Sequence, residues 1–312
     1  MIGKERTVRG LLAILIRAGC FVAIILGGIL LRRKEFLPKE SFGVLSKIVI
    51  NITLPAAIIS GTAGKAIDPA MLMVVLVALL AGVGYMALAA LLSRKKGREE
   101  QAFRVLNLPG YNIGNFAMPF TQSFLGPLGI VTTSLFDIGN AVVCLGGAYG
   151  AASAIKDGKG FDLKRIITAP FKSVPFLTYL LMAVLNLLAL TPPKPVVELA
   201  GIVGSANPFL GMLMVGVGFR LSADRTKLRT VTELLALRYG FAAVLAAVTY
   251  FVLPFDLEVR QAMVLMYFSP IGSAVPAFTN RLEGDVGLSS AINSISVVCS
   301  IGLMVLLQII ML

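Results

Sequence analysis

Ten apolar runs, each about as long as a membrane-spanning helix, leave this chain few folds to choose from. A helix needs about 20 mostly apolar residues to cross a bilayer. Read with that ruler, the chain offers 10–31, 41–63, 69–93, 101–125, 128–150, 173–190, 194–219, 230–253, 259–280 and 286–311. The connections are too short to fold alone. Of the 312 residues 57% are hydrophobic and 14% charged, against about 25% charged in soluble domains. The expectation is an all-α integral membrane protein with ten transmembrane helices. The first run ends in Arg32-Arg33-Lys34 and has no small-residue cleavage site, so it reads as a retained helix.

The net charge of +12 is explained by where the cations fall. Nineteen of the 28 lysines and arginines lie on one side of the ten runs, six on the other, and Arg17, Lys47 and Arg238 lie within spans. Basic loops favour the cytoplasm, which puts both termini outside a cell membrane. No basic folded surface is left for nucleic acid. Histidine is absent, which removes imidazole bases and metal ligands. Cys20, Cys144 and Cys299 are scattered in apolar runs and suggest neither a zinc site nor a disulfide framework. There are no paired membrane aspartates and no His-Glu-x-x-His, so an enzyme is not expected, nor any cofactor or metal.

Ten spans with both ends on one side divide into two halves of five, the second inverted relative to the first. Two runs in equivalent places are interrupted. The fourth carries Gly114-Asn115-Phe116-Ala117-Met118-Pro119, and the ninth carries Pro270-Ile271-Gly272-Ser273-Ala274-Val275-Pro276. Paired interrupted helices point to a transport site. Breaking a helix inside the membrane frees N–H and C=O groups that must line a cavity or find partners. If Pro119 and Pro276 open the second half-helices, two positive helix ends face the interior. Asn112, Asn115, Ser273 and Asn280 would add neutral donors, a setting that suits a small carboxylate.

Asp137 is the one acidic residue well inside a span, about 13 Å from the outer end of its helix. It is the candidate for carrying a coupled proton. The competing reading has it hydrogen-bonding backbone freed near the break. Arg17 and Lys47 lie near span ends and can snorkel. Arg238 is deeper, with Glu233 as its candidate partner on the same helix.

Several segments resemble the auxin efflux carrier family. Asn112-Ile-Gly114-Asn-Phe-Ala-Met-Pro119 is similar to that family's fourth-helix motif. Leu135-Phe136-Asp137-Ile138-Gly139-Asn140 looks like its fifth-helix stretch. Ile48-Val-Ile-Asn51-Ile-Thr-Leu-Pro-Ala resembles its second helix, and Pro270-x-Gly-x-x-Val-Pro276-x-Phe278 its ninth. The resemblance covers essentially the whole chain, in the short bacterial or archaeal form with a linker of only 151–172.

The resemblance implies two inverted five-helix repeats whose broken helices 4 and 9 cross. It implies a scaffold of helices 1, 2, 6 and 7 (10–63 and 173–219), usually dimeric. Helices 3–5 and 8–10 (69–150 and 230–311) would form a transport unit that moves like an elevator. Substrates would be organic anions, auxin in plant members and malate or similar acids in bacterial ones. The family's substrate-contacting asparagine falls on Asn112 and its crossover prolines on Pro119 and Pro276. The charged pair that plant members place in helix 3 has no counterpart in 71–93. A sodium-coupled carrier resembling the bile acid symporters is the alternative. Asn51, Asn115, Asn140 and Asn293, with freed carbonyls, would then supply the oxygen ligands sodium needs. A passive channel lined by broken helices is a further reading.

Overall fold

The computed structural model describes residues 2–38, 40–158, 160, 162–220 and 227–311, with side chains from Gly10 onward. Lys39, Lys159 and Arg225, three of the cations assigned to the basic side, lie outside the described residues. The described residues are all-helical, with 81% helix and no strand. In chain order the helices are α1 (Ile2–Arg33), α2 (Ser41–Ile48), α3 (Leu54–Thr62), α4 (Met73–Ser93), α5 (Arg98–Asn107) and α6 (Met118–Phe124). Then come α7 (Pro127–Val142), α8 (Ala148–Asp157), α9 (Leu163–Thr168), α10 (Val174–Leu187), α11 (Lys194–Gly204) and α12 (Asn207–Gly218). The last four are α13 (Leu228–Phe251), α14 (Leu257–Tyr267), α15 (Val275–Arg281) and α16 (Val286–Ile310).

Among the described residues, seven segments are long and apolar enough to cross a membrane: Gly10–Arg33, Ser41–Thr62, Pro69–Ser93, Pro127–Asp157, Lys194–Gly218, Leu228–Phe251 and Val286–Ile310. Val174–Leu187 makes an eighth if it is taken with Leu163–Lys172, from which it turns by 82°. The expected spans 101–125 and 259–280 are not single helices. Each is a pair of short helices on either side of a break, 108–112 in one and 268–274 in the other. These are the two runs expected to be interrupted, and their break residues keep them out of the count of continuous spans. Gly110 adopts φ +81°, which interrupts the helix at a Pro-Gly pair. Pro270 and Gly272 fall in the second break.

Two other prolines are absorbed without a break. Wide π turns over Val49–Thr53 and Ile113–Ala117 precede Pro55 and Pro119. A proline offers no N–H and its ring crowds the carbonyl four residues back, and a one-residue widening relieves both problems.

Backbone-to-backbone packing at small residues ties the helices together. α1 lies along α12, and a Cβ at Gly216 would collide with the Ile25 carbonyl. α3 lies against α11, where Gly204 admits the backbone of Ala56 and Ala57. α4 packs on α7, where Gly139 meets the Val75 carbonyl.

The basic loops meet one another on one side. Arg104 pairs with Glu100 at 2.6 Å and Glu233 at 3.0 Å, and Arg229 reaches Glu233 at 3.0 Å. Lys227 pairs with Asp285, and Lys156 with Glu283 at 3.9 Å. Glu233 is therefore engaged across the fold, not by Arg238 on its own helix. Five residues separate Glu233 from Arg238, which puts them on different faces. Toward the opposite side, Phe21 on α1 packs on Phe120 and Phe124 of α6 at centroid distances of 6.2 and 6.0 Å. Arg17 donates to the Ser123 carbonyl beside them.

Candidate functional site at the meeting of two helix breaks

The two breaks touch. The Asn112 amide N–H donates to the Pro270 carbonyl at 2.8 Å, and Asn115 Nδ2 donates to Ser273 Oγ at 2.9 Å. Unpaired backbone groups here would each cost several kcal/mol, on the order of a lost hydrogen bond in hydrocarbon, and four side chains remove most of that cost. Arg238, fully buried, donates to the carbonyls of Leu108 (2.6 Å), Gly110 (2.9 Å) and Ser269 (3.0 Å). Its guanidinium also sits over the rings of Tyr85 and Tyr111, at 5.5 and 5.1 Å. Asn140 clamps the first break, donating to the Tyr111 carbonyl at 3.0 Å and accepting from its N–H at 2.9 Å. Asn293 clamps the second, donating to the carbonyls of Ile271 (2.9 Å) and Gly272 (3.2 Å). Ser296 Oγ accepts from the Ile271 N–H at 3.1 Å.

The prolines differ in register. Pro276 lies in the first turn of α15, as expected. Pro119 does not open its half-helix. Helical structure begins at Ile113 with Asn112 at the cap, and a full π turn precedes α6. The helix end that faces the break therefore belongs to Asn112 and Ile113, and Pro119 packs against Gly211 on α12.

Two cavities flank the junction. The larger, about 410 Å³, is lined by Asn112, Ser273, Pro276, Asn280 and Asn293 together with Arg32 and Arg220. No carboxylate lines it among the described residues. The smaller, about 130 Å³, is lined by Asn112, Gly114, Asn115, Asp137, Asn140 and Ser273. Asn112 and Ser273 border both. The Asn112 side chain makes no hydrogen bond among the described residues, although its backbone holds the junction.

Asp137 accepts from Asn140 Nδ2 at 2.8 Å. The Tyr179 hydroxyl lies near the same carboxylate without meeting hydrogen-bond geometry, and Asn115 Oδ1 is buried without a donor. A Cβ at Gly114 would stand 2.5 Å from Leu54 Cδ2 and 4.0 Å from Asp137 Oδ2, so the glycine keeps this floor open.

Asn51 is not brought to the junction. It is exposed and donates to the Lys47 carbonyl one turn earlier, because the π turn rotates it outward while Thr53 points inward to Asn207 at 3.1 Å. Arg32 and Arg220 were read only as part of the basic side. The ends of α1 and α12 set them at the larger cavity, where Arg32 also donates to the carbonyls of Val217 and Phe219. Only the closeness of α1 to α12, invisible in a linear pattern, could have revealed them.

No curated protein matches the sequence. Residues 18–150, which include both Asn112 and Asp137, carry the sequence model described as membrane transport protein, that of the auxin efflux carrier and PIN-like transport family.

Proposed function

We propose that the protein is a secondary active transporter that moves a small organic acid anion across a cell membrane by elevator-type alternating access. The observation that carries this reading is the 410 Å³ cavity at the junction. It has two arginines, no carboxylate among the described residues, and the unengaged side chain of Asn112. An anion entering it would be drawn by Arg32 and Arg220. It could then exchange water for the amides of Asn112 and Asn280 and the hydroxyl of Ser273.

In this reading ten spans, two of them broken, form two inverted repeats. Asn140 and Asn293 clamp the two breaks in parallel fashion, which supports that relation. α1–α3 and α10–α12 pack on each other and would form the fixed scaffold of a homodimer. α4–α8 and α13–α16 would move against it. Arg32 and Arg220 from the basic side line the larger cavity, while Phe21, Phe120 and Phe124 pack together toward the other side. With the basic loops cytoplasmic and both termini outside, this arrangement would correspond to an inward-facing state. Asp137 would carry the coupled proton.

A sodium-coupled symporter is the second reading. Asn115 Oδ1, which lacks a donor, and the Asp137 carboxylate share the 130 Å³ cavity and are both oxygen ligands. Uptake of radiolabelled malate into proteoliposomes tests the proposal. Saturable uptake with counterflow supports a carrier, and non-saturating flux would mean a channel. Loss of uptake when choline replaces sodium would favour the symporter.

A further inference from the structure

Chain 163–172 forms a short helix and a following turn set at 82° to α10, so it runs across the direction of the spans. One face is anchored. Ile166 seats on Gly146 and Gly150, where a Cβ would meet the Ile166 carbonyl at 2.7 Å and its Cδ1 at 2.9 Å. Leu163, Ile167 and Phe171, at four-residue spacing along the segment, are 64%, 52% and 53% exposed. An apolar stripe on a segment lying across the spans, with Lys164, Arg165 and Lys172 on the same segment, has the composition of a helix resting at a bilayer surface.

Beside this segment lies a cavity of about 500 Å³ that borders the smaller junction cavity at Leu145 and Ser173 but is lined by none of the junction asparagines. Arg165, Lys172 and Arg281 line it from three elements. The guanidinium of Arg165 lies 5.3 Å above the Tyr149 ring and that of Arg281 lies 5.5 Å above the Phe278 ring; the two rings are 5.6 Å apart. Two guanidinium groups are thus held on adjoining aromatic faces. None of the three cations has a carboxylate partner among the described residues, whereas Arg104, Arg229, Lys156 and Lys227 on the same side are paired. The one acidic residue lining the cavity among the described residues, Asp162, caps α9 by accepting from the Arg165 N–H at 2.9 Å.

We propose that this cavity binds the phosphate headgroup of an anionic phospholipid, whose acyl chains lie along Leu163, Ile167 and Phe171. The charge is complementary, because three cations without a carboxylate partner among the described residues converge on one cavity beside the apolar stripe. A bound lipid would join the end of α15, which carries Arg281, to the linker that leads into α10.

The test uses the full chain in neutral detergent and reads its thermal midpoint without any transport substrate. Phosphatidylglycerol should raise the midpoint by about 3–5 °C, while phosphatidylcholine and inorganic phosphate leave it in place. The shift should vanish in R165Q/R281Q and largely return in R165K/R281K. If R165Q/R281Q does not fold, K172Q decides, since the exposed Lys172 side chain has no partner among the described residues; it should at least halve the shift. An equal shift from inorganic phosphate would make this a free-anion site. Equal shifts from phosphatidylcholine, or an undiminished shift in the glutamine variants, would overturn the proposal.

Discussion

The backbone N–H of Asn112 donates to the carbonyl of Pro270 at 2.8 Å, while the side chain of Asn112 makes no hydrogen bond among the described residues. One residue thus joins the two broken helices with its backbone and keeps its amide free for a ligand. The fold and the site separate at this position, so a substitution can address them separately. Asn112→Ala should leave the unliganded thermal midpoint within about 1 °C of wild type, because no native side-chain bond is lost. The same variant should lower the affinity for a transported carboxylate about tenfold, the worth of one hydrogen bond to a charged group.

Asn140 and Asn293 should behave in the opposite way. Each spends its amide on backbone opened by a break. Removing it strands buried donors or acceptors at a cost of about 1–3 kcal/mol. Asn140→Ala and Asn293→Ala should therefore lower the unliganded midpoint clearly. A midpoint equal to wild type would show that the breaks do not depend on these clamps.

Arg238 is the strongest such case. A fully buried guanidinium satisfies carbonyls from both breaks at once. Arg238→Met fills similar volume but leaves those carbonyls bare, at a cost of about 1–3 kcal/mol for each one left unsatisfied. Arg238→Lys keeps the charge and cannot reach both breaks through one point donor. Both variants should give little folded protein on size-exclusion chromatography in mild detergent. A monodisperse Arg238→Met protein with native stability would contradict this role.

Much of this arrangement was legible in the residues themselves. The apolar runs marked the helices, and the Gly, Asn and Pro clusters marked both interruptions, because breaks need residues that tolerate bare backbone or cap it. What a linear pattern lacks is rotation and distance. The π turn before Pro119 adds one residue to a helical turn and moves the helix end to Asn112. The π turn before Pro55 similarly turns Asn51 outward. Glu233 looked like a partner for Arg238 because both lie on α13, yet its partner Arg104 is 129 residues away. Arg32 and Arg220 counted only as topology until α1 and α12 set them at one cavity.

Glycine substitutions test the packing independently of the site. A Cβ at Gly139 would collide with the Val75 backbone carbonyl, which cannot move without separating α4 from α7. Gly139→Ala should abolish folding. Gly240→Ala adds a methyl where nothing lies within 4 Å and should be neutral or slightly stabilising. Equal yields of the two variants would contradict the close approach of α4 and α7.

Asp137→Asn tests the proton reading. The amide preserves size and can still accept from Asn140, so the fold should persist. If Asp137 carries the coupled proton, uptake by wild-type proteoliposomes should depend on a pH gradient and uptake by Asp137→Asn should not. An unchanged gradient dependence in the variant would remove Asp137 from the coupling role.

The most direct test of the central claim, that a small carboxylate binds where the two breaks meet, is ligand-induced thermal stabilisation of the purified protein. A panel of monocarboxylates and dicarboxylates, malate among them, is titrated against wild type and Asn112→Ala. At least one carboxylate should raise the wild-type midpoint in a saturable way, and in Asn112→Ala the same shift should need about tenfold more ligand while the unliganded midpoint is unchanged. No stabilisation by any carboxylate, or the same shift at the same ligand concentration in both proteins, would contradict the account.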